Sequence, residues 1–141
     1  GWFWILCAVV LLAIPKTRKT GYAAVFSLIF GAIVTNLLLK NIVARPRPFA
    51  EIEALIPLIA KPTYFSFPSG HTTASFAVAL VMFRMLPKKI GIPAVVLAAL
   101  VAFSRLYLGV HYPTDVLVGF VVALVGSTVA VWIVRMKMGN R

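Results

Sequence analysis

Three short polar clusters interrupt an otherwise apolar chain. They are Lys40 with Arg47-Pro48, then Pro68-Ser69-Gly70-His71, then Ser104-Arg105 with His111 and Asp115. Together they hold three cations, two histidines and one of the only three acidic residues in the chain. Phosphoryl chemistry uses this set. A guanidinium binds two phosphate oxygens at once, and an ammonium acts as a point charge. An imidazole attacks or moves protons near neutral pH.

Each cluster has a plain structural alternative. Lys40 ends an apolar run, so it also suits an interfacial anchor that snorkels to water. The prolines of Arg45-Pro46-Arg47-Pro48 forbid a continuing helix and stiffen the segment. Pro68-Ser69-Gly70-His71 opens an apolar run. Ser69 suits a helix cap, Gly70 admits close approach of a ligand to backbone, and the free N–H groups of a helix start favour an anion. An ordinary helix start has no use for His71, which can give a proton to a leaving oxygen. Pro113 suits the first turn of a helix that carries Asp115. A histidine four residues before an aspartate can reach it, and the carboxylate would then fix the His111 tautomer. The alternative there is a structural Arg105–Asp115 ion pair with His111 as a bystander. The residues alone leave open which of the two histidines attacks; the neighbouring aspartate makes His111 the better candidate.

The elements that must position these groups are apolar segments: Trp2 to Ile14, Tyr22 to Leu39, His71 to Leu86, Ile92 to Leu108 and Val116 to Val134. Their length and lack of alternation predict helices and not strands. The fold class is therefore all-α, a polytopic transmembrane bundle forming a single membrane-embedded domain over residues 1–141. The first run falls short of the about 20 residues a spanning helix needs. Lys16-Thr17-Arg18-Lys19 comes after it, whereas a signal peptide has its charge in front. We therefore expect that helix to begin upstream of Gly1. Small residues recur at Gly31 and Ala32, Ala74 and Ala77, Ala98 and Ala102, and Gly119 and Ala123, spacings that let helices pack closely in lipid. The apolar Ile52 to Ala60 fits either a segment lying on the membrane surface beside the site or a plain connection.

Composition agrees. Of the 141 residues 62% are hydrophobic and 12% charged, about half the charge of a soluble domain. The formal net charge is +11. The basic residues flank apolar runs and form no polar face, which argues against nucleic acid as partner. If each segment crosses once, nine cations (Lys16, Arg18, Lys19, Arg84, Lys88, Lys89, Arg135, Lys137, Arg141) share one side. Lys40, Arg45, Arg47, Lys61 and Arg105 share the other. The positive-inside rule makes the first side cytoplasmic and gathers all three clusters at the outer face of the cell membrane. Cys7 is the only cysteine and offers neither a disulfide nor a cysteine metal site. The two histidines and Asp115 fall one ligand short of a closed zinc site. An anion channel could use the same arginines, but it needs neither a His–Asp pair nor a second histidine.

In order, the clusters read Lys-x6-Arg-Pro, Pro-Ser-Gly-His and Ser-Arg-x5-His-x3-Asp. This resembles the three-part signature of the type 2 phosphatidic acid phosphatase superfamily, the lipid phosphate phosphatases. The match is complete in order and spacing from Lys40 to Asp115, and family spacing selects Arg47 over the competing Arg45-Pro46. The resemblance implies a phosphatase that needs no metal or cofactor and works through a phosphohistidine. It makes His111 the nucleophile, Asp115 its orienter and His71 the general acid, with Lys40, Arg47, Ser69, Gly70 and Arg105 around the phosphate. It also implies a six-helix core, of which five segments are visible. Among bacterial members, those acting on undecaprenyl diphosphate are the nearest resemblance. Phosphatidylglycerophosphate or phosphatidic acid is the next substrate.

Overall fold

Apolar runs that carry a small residue every third or fourth position can meet lipid with one face and a neighbouring helix with the other. The computed structural model, which describes residues 1–139, packs the helices on small residues and leaves large apolar side chains exposed. Helices α1 (Trp2–Ala13) and α2 (Arg18–Ala32) form an antiparallel pair joined by a 3-10 turn at Pro15–Thr17. A π-helical stretch, Ile33–Leu39, leads from α2 into the single turn α3 (Lys40–Val43). The short α4 (Pro48–Glu51) and a long loop come next, followed by α5 (Gly70–Met85), α6 (Lys88–Tyr107) and α7 (Pro113–Met138).

Helix α5 is the centre of the bundle and packs against α2, α6 and α7. Every residue from Ser75 to Val81 is buried. By contrast α6 buries only Gly91, Ala94, Ala98 and Ala102, one stripe of small residues along its α5 face. Its large side chains, among them Leu100 and Phe103, are exposed. Helix α7 also buries small residues, Gly119, Ala123, Gly126 and Ala130, with Val122, Val131 and Val134 beside them, and leaves Leu117, Val121 and Trp132 outside. Small residues inside and large apolar ones outside is the arrangement that lipid selects.

All five expected segments are helical, but some of the helices outrun their apolar segments. Helix α6 starts at Lys88 and not Ile92, and α7 runs from Pro113 to Met138 and not from Val116 to Val134. Hydropathy marks only the part at lipid depth, while caps and prolines set the ends. Pro15–Glu51, Lys88–Tyr107 and Pro113–Met138 are long and apolar enough to cross a membrane. Helices α1 and α5 have 12 and 16 residues, so they fall short of the about 30 Å hydrocarbon core at 1.5 Å per residue.

The charges separate along the bundle. One end holds the end of α1, α5 and α7 and the start of α2 and α6, with Lys16, Arg18, Lys19, Arg84, Lys88, Lys89, Arg135 and Lys137. Arg141, the ninth cation of that set, lies outside the described residues. The three polar clusters meet at the opposite end.

Candidate active site

The site is assembled by bonds between segments far apart in the chain. Ser69 caps α5: its Oγ accepts from the Thr72 backbone N–H at 3.4 Å and from Thr72 Oγ1 at 3.0 Å. Its own N–H donates to the Asp115 carbonyl at 2.9 Å, tying the start of α5 to the start of α7. Gly119 makes that closeness feasible, since a Cβ there would sit 2.8 Å from the Ser69 carbonyl oxygen. Two backbone hydrogen bonds help pin the long loop: Ser66 N–H donates to Arg45 O at 2.8 Å, and Leu58 N–H donates to Leu108 O at 3.3 Å. Its apolar stretch is not helical, and Ile56 and Leu58 are exposed. The part that edges the site is Pro62 and Tyr64.

Arg47 is buried and held by backbone. Its Nε donates to Tyr64 O at 2.8 Å and its Nη1 to Val110 O at 2.9 Å. The same Nη1 lies 3.3 Å from His111 Nε2. A guanidinium can only donate, so Nε2 is the acceptor and the ring proton belongs on Nδ1. Nδ1 in turn lies 3.4 Å from Asp115 Oδ2, off the line of a well-formed hydrogen bond. Burial pushes the His111 pKa below its ordinary 6.5; Asp115 opposes this and Arg47 reinforces it.

Asp115 is fully buried. Its Oδ1 accepts from Arg45 Nη1 at 3.0 Å. Its Oδ2 accepts from the Tyr112 N–H at 2.8 Å and from Ser66 Oγ. Residue 105 takes no part in this pairing, because the ion pair that forms is Arg45–Asp115 and not Arg105–Asp115.

A cavity of about 300 Å³ opens in front of these groups, and Lys40, Arg47, Gly70, His71, Arg105 and His111 line it. Three cations thus face the cavity, and the one nearby carboxylate stands behind His111. Six of the eight expected site residues meet here. Ser69 and Asp115 lie behind the wall, both fully buried. Gly70 forms part of the floor: a Cβ there would point to within 3.4 Å of Asn36 Oδ1 and 4.0 Å of Lys40 Nζ. Ser104 turns away, with its Oγ donating to Val101 O at 2.6 Å. Among the described residues no group of three or more His, Cys, Asp or Glu is placed to hold a metal ion.

Sequence reasoning missed four participants. Asn36 lies in the π-helical stretch, with its Oδ1 3.5 Å from Lys40 Nζ. Tyr64 and Ser66 come from the long loop, where no local pattern distinguishes them. Arg45 was visible as half of an arginine-proline pair, but not its partner.

A helical membrane bundle with a cation-lined, histidine-bearing cavity at one end defines a class, and comparison with known proteins supplies the family. The family model of the PAP2 superfamily matches residues 20–139, and the chain belongs to that superfamily. It is 37% identical over 127 residues to an undecaprenyl-diphosphatase of Sulfolobus acidocaldarius, covering 90% of this chain and 60% of that protein. It is 40% identical over 124 residues to undecaprenyl-diphosphatase BcrC of Bacillus subtilis, covering 86% and 61%. The chain therefore spans about three fifths of the length of these relatives. The crystal structure of Aquifex aeolicus LpxE superposes with a TM-score of 0.82 at 25% identity, covering 94% of this chain and 78% of that one.

Proposed function

We propose that this protein is an integral membrane phosphatase that hydrolyses a lipid diphosphate, undecaprenyl diphosphate in particular, through a phosphohistidine on His111. The observation that carries the reading is the His111 tautomer. Arg47 claims Nε2 as an acceptor, which puts the ring proton on Nδ1, toward Asp115; in this reading the single Nε2 lone pair is released for attack when the substrate phosphate takes over the Arg47 guanidinium.

In this reading Nε2 attacks phosphorus and the bond from phosphorus to the leaving oxygen breaks. His71, across the same cavity, gives that oxygen a proton. Positive charge arising on the His111 ring is balanced by Asp115. Water then attacks the phosphohistidine, His71 takes its proton, and the P–N bond breaks to release phosphate. Lys40, Arg47 and Arg105 neutralise the phosphoryl oxygens during both steps, the task that magnesium performs in kinases, so the reaction needs no metal. Gly70 keeps the floor open. Ser69 contributes through the helix start it caps, whose first N–H groups have no intrahelical partner and favour an anion.

The diphosphate assignment draws on the names of the two relatives and on the three cations, which suit a ligand with more than two negative charges. The site faces the extracytoplasmic side in this reading, because the opposite end carries the larger share of basic residues. The test is phosphate release by the purified protein from undecaprenyl diphosphate, phosphatidylglycerophosphate and phosphatidic acid, beside His111→Ala. Turnover highest on the diphosphate and lost in the variant supports the proposal. Preference for a glycerol-based monophosphate would sink the substrate, and normal turnover by folded His111→Ala would sink the mechanism.

A further inference from the structure

We propose that Arg45 is a positioning residue that acts on the reaction through Asp115, not through the phosphate. The proposal rests on the phosphatase reading. The two arginines of Arg45-Pro46-Arg47-Pro48 are two residues apart, yet the fold sends them to opposite sides of the His111–Asp115 pair. Arg47 stands in front, 3.3 Å from His111 Nε2, and lines the cavity. Arg45 stands behind. It is not among the residues lining the cavity, and its Nη1 lies 3.0 Å from Asp115 Oδ1.

Arg45 is itself held in place. The same Nη1 donates to Thr114 Oγ1 at 2.6 Å. The guanidinium lies over the Tyr112 ring, 3.9 Å from its centroid. The Tyr112 hydroxyl donates to Glu51 Oε2 at 2.6 Å. A line of contacts therefore runs Glu51, Tyr112, Arg45, Asp115, His111.

Burial determines the chemistry of the pair. The Asp115 side chain is 0% exposed and that of Arg45 is 34% exposed. A carboxylate fully out of water needs a charged partner or it takes up a proton. The other groups that face this pair are Arg47, on the Nε2 side of His111, and Lys40, His71 and Arg105, which line the cavity. Arg45 is the cation in direct contact with the carboxylate. It leaves Oδ2 to Ser66, the Tyr112 N–H and the His111 ring. If Asp115 became protonated it would lose the negative charge that favours the Nδ1–H tautomer and balances the imidazolium formed on attack.

The test compares Arg45→Gln and Arg45→Lys with the unaltered protein, using farnesyl diphosphate in detergent. Arg45→Gln is expected to lower kcat by about 10- to 100-fold while KM stays within about twofold. The acid limb of its kcat/KM profile is expected to move to higher pH, and Arg45→Lys to recover most of the loss. A KM effect alone would overturn the proposal by making Arg45 a phosphate ligand. So would a kcat loss with an unmoved acid limb and no rescue by lysine, because that is the mark of a fold contact. Unchanged kinetics would also overturn it. Absence of phosphate release from the unaltered protein would instead defeat the phosphatase reading. The pairing would then be decided by thermal unfolding of Arg45→Gln, Asp115→Asn and the double variant. Non-additive losses uphold the coupling and additive losses refute it.

Discussion

Replacing Gly119 by alanine tests whether helix packing sets the geometry of the site. A Cβ at 119 would lie 2.8 Å from the Ser69 carbonyl oxygen, 3.1 Å from Thr73 Oγ1 and 3.2 Å from Thr72 Cβ. Ordinary contact is about 3.5 Å, so the shortfall at Ser69 is about 0.7 Å. The carbonyl cannot swing aside, because it accepts from the Thr73 N–H at 3.0 Å and from Thr73 Oγ1 at 3.0 Å. Helix α7 must move instead. Asp115 lies one turn from Gly119, and its carbonyl receives the Ser69 N–H at 2.9 Å, so the shift reaches the His111–Asp115 pair. Overpacking of this kind costs about 1–3 kcal/mol of stability. A misplacement of about 1 Å costs about 100-fold in rate, so about 0.7 Å predicts a kcat loss of about 10- to 100-fold. The assay is phosphate release from farnesyl diphosphate together with the thermal midpoint. Val125→Ile, at an exposed position of the same helix, serves as the control and should change neither. A Gly119→Ala protein with unaltered kcat would refute the claim that this contact positions the site, even if its stability fell.

The remaining predictions are independent of that contact. His111 must be neutral to attack, and burial lowers its pKa from 6.5. Its neutral form therefore persists to lower pH, so the acid limb of kcat/KM should have its midpoint below 6.5; an acid limb at or above that value counts against the assignment. Excess chelator should leave activity unchanged and vanadate should inhibit, whereas loss on chelation restored by one divalent ion contradicts catalysis by cations of the chain. With Cys7 replaced by serine, a cysteine at Lys61 should react with an impermeant thiol reagent added outside cells and one at Lys88 should not; the opposite pattern reverses the orientation.

The candidate residues of the site were legible because few residue types handle phosphate, and an apolar chain leaves them conspicuous. His71, His111 and Asp115 stand out for that reason. The packing stripes were legible where they are made of small residues, as at Ala98 and Ala102. Other features have no local signature. The central place of α5 was hidden, since its apolar run reads like its neighbours. The π-helical register before Lys40 is a matter of hydrogen-bond partners and not of composition. Ser66 reaches Asp115 from 49 positions away, through a loop that shows no periodicity. Spacing from Lys40 favours Arg47 for the phosphate, but only the course of the chain around Pro46 places Arg45 behind the carboxylate.

The central claim is that phosphorus is transferred twice, first to His111 Nε2 and then to water. The stereochemical course tests this without requiring the intermediate to accumulate. A lipid diphosphate whose terminal phosphorus is chiral through sulfur and oxygen isotopes is hydrolysed in isotopically labelled water, and the configuration of the released thiophosphate is read. Two in-line displacements, each inverting the centre, predict overall retention. Inversion would mean that water attacks the substrate directly, and would remove the covalent role assigned to His111.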